Sequence, residues 1–176
     1  MTLDFRSIAG RAQTRTMPIG LFVDSELRSI NSDDKIILDP PFQRGSVWSV
    51  GQKMRFIESI LVGIPLPTIF VNRWPEARPH PVHQWQDVMV DGKQRFEAVA
   101  GFMEDKFEVD GELWSRQTDG FRRCFRMTQG LCMIIYTQFE TMKECAELYL
   151  KLLKAGTAHT PEEIALAEEF VRSTDI

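Results

Sequence analysis

Little in this 176-residue sequence points to a membrane, a secretory route or a redox centre. No apolar run approaches the roughly 20 residues a membrane-spanning helix requires. The N-terminus lacks the apolar core of a signal peptide. Cysteine is sparse: Cys124, Cys132 and Cys145 are an odd number without a C-x-x-C pair. That argues against a disulfide framework and suits a reducing cytoplasm, with each thiol reading as a small buried hydrophobe. Histidine is equally scarce. His80 and His83 share a proline-bearing stretch with no cysteine beside them, so no metal site is assigned there. Excess positive charge is missing too. At a net charge of −4 the chain as a whole is not an electrostatic nucleic-acid binder, and any such binding has to use a local basic patch. No internal repeat or low-complexity block is present.

What is there is an ordinary globular composition, 43% hydrophobic and 26% charged, in a chain long enough for one domain with a sizeable core. Residues 1–16, with Arg6, Arg11 and Arg15, read as a flexible N-terminal arm, and 17–176 as the single domain. Residues 19–30 are ambiguous between strand and helix, with a helix favoured over the second half and Leu27 and Ile30 facing inward. Residues 31–34 are a turn cluster, and 35–38 a short strand stopped by Asp39-Pro40-Pro41.

Ser49 caps a helix with Gln52 at the capping-box position. Met54, Ile57, Ile60 and Leu61 form its buried face, and Gly63 ends it. Pro65-Leu66-Pro67 leads into a strand over 68–74, residues 75–86 form a loop, and 106–114 read as a hairpin about Asp110-Gly111. An apolar, β-prone central strand spans 131–139. Thr141 then caps a helix with Glu144, turning Cys145, Leu148, Tyr149 and Leu152 inward, and Gly156 stops it. Thr160, Pro161 and Glu163 open a last helix. The pattern is α+β: a mixed sheet surrounded by helices.

Chemistry concentrates at Val88-Met89-Val90-Asp91-Gly92-Lys93-Gln94-Arg95-Phe96. Val88 to Val90 end a buried strand, and Asp91-Gly92 turns the chain, since glycine reaches the positive φ that other residues avoid. From Lys93 the period becomes helical, with Phe96, Val99, Ala100 and Met103 on one face. The order strand, glycine turn, helix leaves unpartnered amides beside Lys93 and Arg95. A helix N-terminus so furnished attracts an anion, most simply a phosphate.

A second candidate is the loop Phe42-Gln43-Arg44-Gly45-Ser46-Val47-Trp48. A third is the densest basic cluster, Arg116, Arg122, Arg123 and Arg126, with Phe121 and Phe125 interleaved. Arginines among aromatics bind single-stranded nucleic acid by charge and stacking. The favoured reading of this cluster is nonetheless a surface helix that packs its phenylalanines inward.

Three stretches together, Pro41-Phe42-Gln43-Arg44 continuing to Val47-Trp48, then Leu61-Val62-Gly63-Ile64-Pro65-Leu66-Pro67, then Asp91-Gly92-Lys93-Gln94-Arg95, resemble the N-terminal domain of the GmrSD type IV restriction systems. That group sits within the ParB/sulfiredoxin-like superfamily, and the resemblance covers roughly residues 19–170. It implies a nucleotide-handling domain, often an NTPase, in defence against foreign or modified DNA. Asp91, Gln94 and Arg95 would be the catalytic motif. Gln43, Arg44, Trp48, Gly92 and Lys93 would bind the nucleotide, with NTP, accompanied by Mg²⁺, as the cofactor. Asp91 is the carboxylate that would hold Mg²⁺ or orient water, while Glu58 and Glu97 read as solvated.

Two positions depart from the family pattern. Lys93 replaces the first glutamine of the Asp-Gly-Gln-Gln-Arg hallmark, and Leu153 stands where the family often has asparagine. Nothing resembles the family's C-terminal HNH nuclease half, so cutting DNA by that route is not expected. The leading expectation is a cytoplasmic nucleotide-binding domain, with or without hydrolysis, of a bacterial or phage defence or DNA-transaction system. The alternative is a non-catalytic adaptor for DNA, RNA or a partner protein, using Arg122, Arg123 and Arg126 together with Arg6 and Arg11. A homo-oligomer is compatible with either. A kinase-like phosphotransferase ranks last, for want of a base to activate an acceptor.

Overall fold

The computed structural model describes residues 12–28, 36–74, 86–155 and 161–174. Among them a four-stranded mixed sheet is surrounded by six α-helices, the α+β architecture expected. The strands are β1 (Gln13–Pro18), β2 (Ile69–Asn72), β3 (Val88–Asp91) and β4 (Leu131–Thr137), in spatial order β1-β4-β2-β3. β1 runs antiparallel to β4, β4 parallel to β2, and β2 antiparallel to β3.

Because side chains alternate along a strand, the sheet feeds two apolar clusters. Ile69, Val71, Met89, Cys132, Ile134 and Tyr136 join one, while Phe70, Val88 and Val90 join the other. The helices α1 (Ile19–Leu27), α2 (Val50–Leu61), α3 (Lys93–Met103) and α4 (Asp119–Met127) supply the first cluster. The helices α5 (Met142–Ala155) and α6 (Pro161–Ser173) cover the second. Asn72, fully buried at the end of β2, is satisfied by the Phe139 amide at 2.7 Å and the Thr137 hydroxyl at 3.0 Å. It ties β2 to the chain leaving β4.

The helix ends follow local chemistry. Ser49 and Gln52 form both halves of a capping box at the start of α2. That helix closes when the Gly63 amide reaches Ile60 O and the Ile64 amide reaches Ser59 O, with Gly63 at φ +80°, a Schellman ending. Thr141 and Glu144 cap α5 in the same reciprocal way. Gly156 and Thr160 lie outside the described residues.

Several sequence expectations are corrected. Residues 13–16 belong to β1 and not to an arm, because polar Gln13 to Thr16 pair with β4 through their backbone. Residues 1–11, including Arg6 and Arg11, are outside the described set. α1 starts already at Ile19 and buries Ile19, Phe22 and Val23, whereas Leu27 is half-buried and Ile30 is not described. The strand expected over 35–38 is a single bridge, Ile37 to Val88. The hairpin over 106–114 reduces to one bridge, Val109 to Glu112, about a two-residue turn with Asp110 and Gly111 both at positive φ. Trp114 instead opens a 3₁₀ turn (Trp114–Arg116) and is buried against Phe102 and Phe125. The loop expected over 75–86 falls almost wholly outside the described residues.

Candidate functional site

β3 delivers the chain to Gly92, whose φ of +119° no L-residue adopts comfortably. A Cβ there would also stand 3.0 Å from two Ile69 side-chain atoms. Both facts reserve the position for glycine. α3 then begins with no side chain capping it, which leaves first-turn amides to be satisfied by solvent or a ligand.

The 42–48 loop is fastened over this helix start. Phe42 anchors it, fully buried with its ring centroid 5.7 Å from that of Tyr149 and 5.8 Å from that of Phe170. Gln43 Nε2 donates to Met89 O at 2.9 Å and to Val90 O at 2.5 Å, stitching the loop to β3. At the far end, Gln94 Oε1 accepts the amides of Val47 and Trp48, each at 3.1 Å. Trp48 meets Phe56 edge-on at 5.4 Å.

Between loop and helix lies a cavity of about 200 Å³. Gln43, Arg44, Trp48, Asp91, Gly92, Lys93, Gln94 and Arg95 all line it, joined by Val47, Tyr149 and Glu163. Every residue singled out around the two motifs is therefore brought to one place.

Each cation of the cavity nevertheless has a carboxylate partner. Lys93, only 5% exposed, pairs through Nζ with Asp39. Arg44 Nη2 lies 3.2 Å from Glu163 Oε2. Arg95 Nη2 lies 2.7 Å from Asp91 Oδ2, and its Nη1 donates to Pro67 O at 2.7 Å and Thr68 O at 3.2 Å. Arg95 thus clamps the entry of β2 to the start of α3, and Asp91 is spoken for by it.

The partners differ in how easily they can leave. Asp39 is 76% exposed and can return to water, whereas Glu163 is 6% exposed. Glu163 is held further by Tyr149, whose hydroxyl donates to Oε1 at 2.6 Å. Burial, the hydrogen bond to Glu163 and the Glu163 charge push the Tyr149 phenol well above its ordinary range, so it stays a donor. Of the two carboxylates, Asp39 is therefore the more easily displaced from its cation.

Glu163, Tyr149 and Asp39 escaped the sequence reading as site residues, whereas Val47 belongs to the candidate loop. Glu163 reads locally as the acid of a helix cap, and nothing near it in the sequence aims it at the cavity. Tyr149 sits at an ordinary inward position of α5. Glu97 also departs from its solvated reading: Oε2 is buried without a hydrogen-bond partner, 3.9 Å from Lys53 Nζ, and Oε1 is 3.9 Å from Lys93 Nζ. Glu58 is exposed, as expected. No cluster of three metal-ligating side chains occurs among the described residues, and none of their helices is long and apolar enough to cross a membrane.

Of the basic cluster, Arg122, Arg123 and Arg126 lie on α4 and Arg116 in the 3₁₀ turn before it; Phe125 is buried and Phe121 packed against the core, so the inward-phenylalanine reading is the observed one. Its arginines do not form one group. Arg122 Nη2 pairs with Asp119 at 2.5 Å. Arg126 reaches Asp24 at 3.5 Å and lies 5.8 Å over the Trp114 ring, and Arg123 is exposed.

Compared with protein families, residues 26–168 match the GmrSD restriction endonuclease, N-terminal domain. Comparison with curated proteins and with solved structures gives no match.

Proposed function

The chain belongs to the family of GmrSD restriction endonuclease N-terminal domains, and from that premise we propose that it binds a nucleoside triphosphate at the start of α3, as part of a restriction or related DNA-transaction system. The observation that carries this reading is the convergence of an uncapped helix N-terminus, Lys93 and Arg44 on one cavity. Free first-turn amides and a helix dipole favour a phosphate.

The phosphates take the place of Asp39 at Lys93 and meet the first-turn amides, while Arg44 remains aimed by Glu163. At about 200 Å³ the cavity is smaller than the roughly 300–1,000 Å³ of sites that engulf whole small molecules. It suits the polyphosphate, with the sugar and base toward Trp48 at the rim. Hydrolysis further requires an oriented water and stabilised charge. Gln94 is the candidate to orient the water, but its Oε1 is engaged by the loop amides. Turnover therefore requires the loop to let go. Asp91 is paired with Arg95, so Mg²⁺ would arrive with the triphosphate and be steadied by its oxygens, with Asp91 as the nearest carboxylate of the motif.

The test is a melting screen against the four NTPs, with and without Mg²⁺, followed by phosphate release on any hit. A ligand at about 100 times its Kd adds about 2.7 kcal/mol. A rise in Tm that disappears in Arg44→Ala and Lys93→Ala supports the reading. Unchanged melting with every NTP overturns it.

A further inference from the structure

A second cavity lies along the later turns of α3 and shares no lining residue with the first. Phe96, Ala100 and Glu104 recur at helical spacing, with Glu97 and Gly101 beside them, so one side of the helix forms its wall. Ala100 and Gly101 are small, and there the wall is hollow. Phe107 packs over Gly101, where a Cβ would stand 3.1 Å from its ring. Leu27, Leu38 and Val50 extend the apolar lining. The volume of about 500 Å³ falls within the roughly 300–1,000 Å³ of sites that take whole small molecules.

The polar groups of this cavity are few and unequally committed. Lys106 Nζ pairs with Glu104 at 2.6 Å, and both side chains are exposed. Glu97 is different. Its Oε2 is the one buried side-chain oxygen or nitrogen among the described residues without a hydrogen-bond partner. Lys53 lines the same cavity, and its Nζ stands 3.9 Å from that oxygen, while Lys93 Nζ stands 3.9 Å from Oε1. At that distance neither lysine is hydrogen-bonded to the carboxylate. A buried acceptor left without a donor is costly. The terminal torsion of a glutamate is soft enough to turn either oxygen toward the cavity.

We propose that this cavity binds a small, planar, uncharged lactam, whose N–H donates to Glu97 and whose carbonyl accepts from Lys53. The two side chains select that chemistry together. A cation is repelled by Lys53 and an anion by Glu97, whereas adjacent N–H and C=O groups satisfy both. Phe96 and Phe107 offer aromatic surface to a flat ring. No residue that lines the cavity at the start of α3 takes part, so this site does not depend on triphosphate binding at the other.

The experiment is a titration of oxindole, a flat bicyclic lactam, into the isotope-labelled full chain, followed by the amide resonances in NMR. N-methyloxindole is the control, since it keeps the ring and the carbonyl but has no N–H to donate. Saturable shifts are expected at the Ala100 and Gly101 amides, with Gly92 little moved. N-methyloxindole is expected to bind about tenfold more weakly, the loss of one hydrogen bond to a charged acceptor. In Glu97→Met that preference is expected to collapse, the two compounds binding within about twofold of each other. Lys53→Met is expected to weaken both compounds alike, because both carry the carbonyl. The proposal is overturned by the absence of saturable shifts, by shifts centred on Gly92, by equal binding of the two compounds to wild type, or by a preference that survives in Glu97→Met. Should Glu97→Met fail to fold, the comparison of the two compounds on wild type decides the matter alone.

Discussion

Arg44 and Glu163 meet at 3.2 Å across the cavity, one from the 42–48 loop and the other from α6, and Tyr149 grips the same carboxylate at 2.6 Å. Glu163 therefore does two things: it aims a cation at the cavity, and it opposes the anion that cation would bind. The two can be separated by substitution. Glu163→Ala strands a buried tyrosine hydroxyl and removes the partner of Arg44, and is expected to cost about 2 kcal/mol in urea unfolding. Glu163→Gln keeps an acceptor for Tyr149 while deleting the opposing charge. It is expected to tighten triphosphate binding about fivefold, equal to roughly 1 kcal/mol. Weaker binding by Glu163→Gln would mean that the carboxylate's hold on Arg44 outweighs its repulsion.

Gly92 tests the turn on which the cavity depends. Gly92→Ala meets both a φ of +119° and two Ile69 atoms at 3.0 Å. A destabilisation of about 2 kcal/mol is expected, with loss of any ligand-dependent rise in Tm. By comparison Gly45→Ala, which meets nothing within 4 Å, should unfold like wild type.

The three thiols are expected to react unequally. Hydrogen bonds with Thr128 and Gln129 lower the pKa of exposed Cys124, whereas burial pushes Cys132 up to about 11 and Cys145 well above the ordinary thiol value. A thiol reagent at neutral pH should modify one cysteine quickly and the other two only upon unfolding. Mass spectrometry of the labelled peptides identifies which one, and rapid labelling of Cys145 would contradict its buried placement.

Acid–base behaviour should show in stability as well. Burial raises the Glu26 carboxyl, with the Ile36 amide and Arg73 opposing and the Asp87 charge adding. Asp87 itself is raised by burial against the pull of Arg73. Both groups hold their protons more tightly folded than unfolded. Their stabilising contribution is thus complete below the unfolded carboxylate values of about 4 and falls away as pH rises through the folded ones. Glu26→Gln should flatten that decline, seen as a smaller difference in Tm between acid and neutral pH than in wild type.

Legibility from sequence tracked the range of the interactions. The capping boxes at Ser49 and Thr141 and the strand–turn–helix at Gly92 are set by residues within a turn of one another, and all three were readable. β1 was not, because Gln13 to Thr16 carry no apolar alternation and owe their strand form to backbone pairing with β4. The same limit applies to the site. Gln43, Arg44 and the Asp91–Arg95 motif could be named from pattern. That Arg95 is committed to Asp91 and two carbonyls, that Asp39 partners Lys93, and that Glu163 comes in from α6 are facts of tertiary packing. Leu153 illustrates the converse. It stands where the family pattern often has asparagine, and it is a buried member of the second apolar cluster, giving packing in place of a polar contact.

The most direct test of the central claim is calorimetric titration of a non-hydrolysable NTP analogue into wild-type protein and into Arg44→Ala and Lys93→Ala. The account predicts saturable one-to-one binding to wild type, weakened at least tenfold by either substitution at a temperature where each variant is still folded. Binding that is absent in wild type, or that is indifferent to both substitutions, would contradict it.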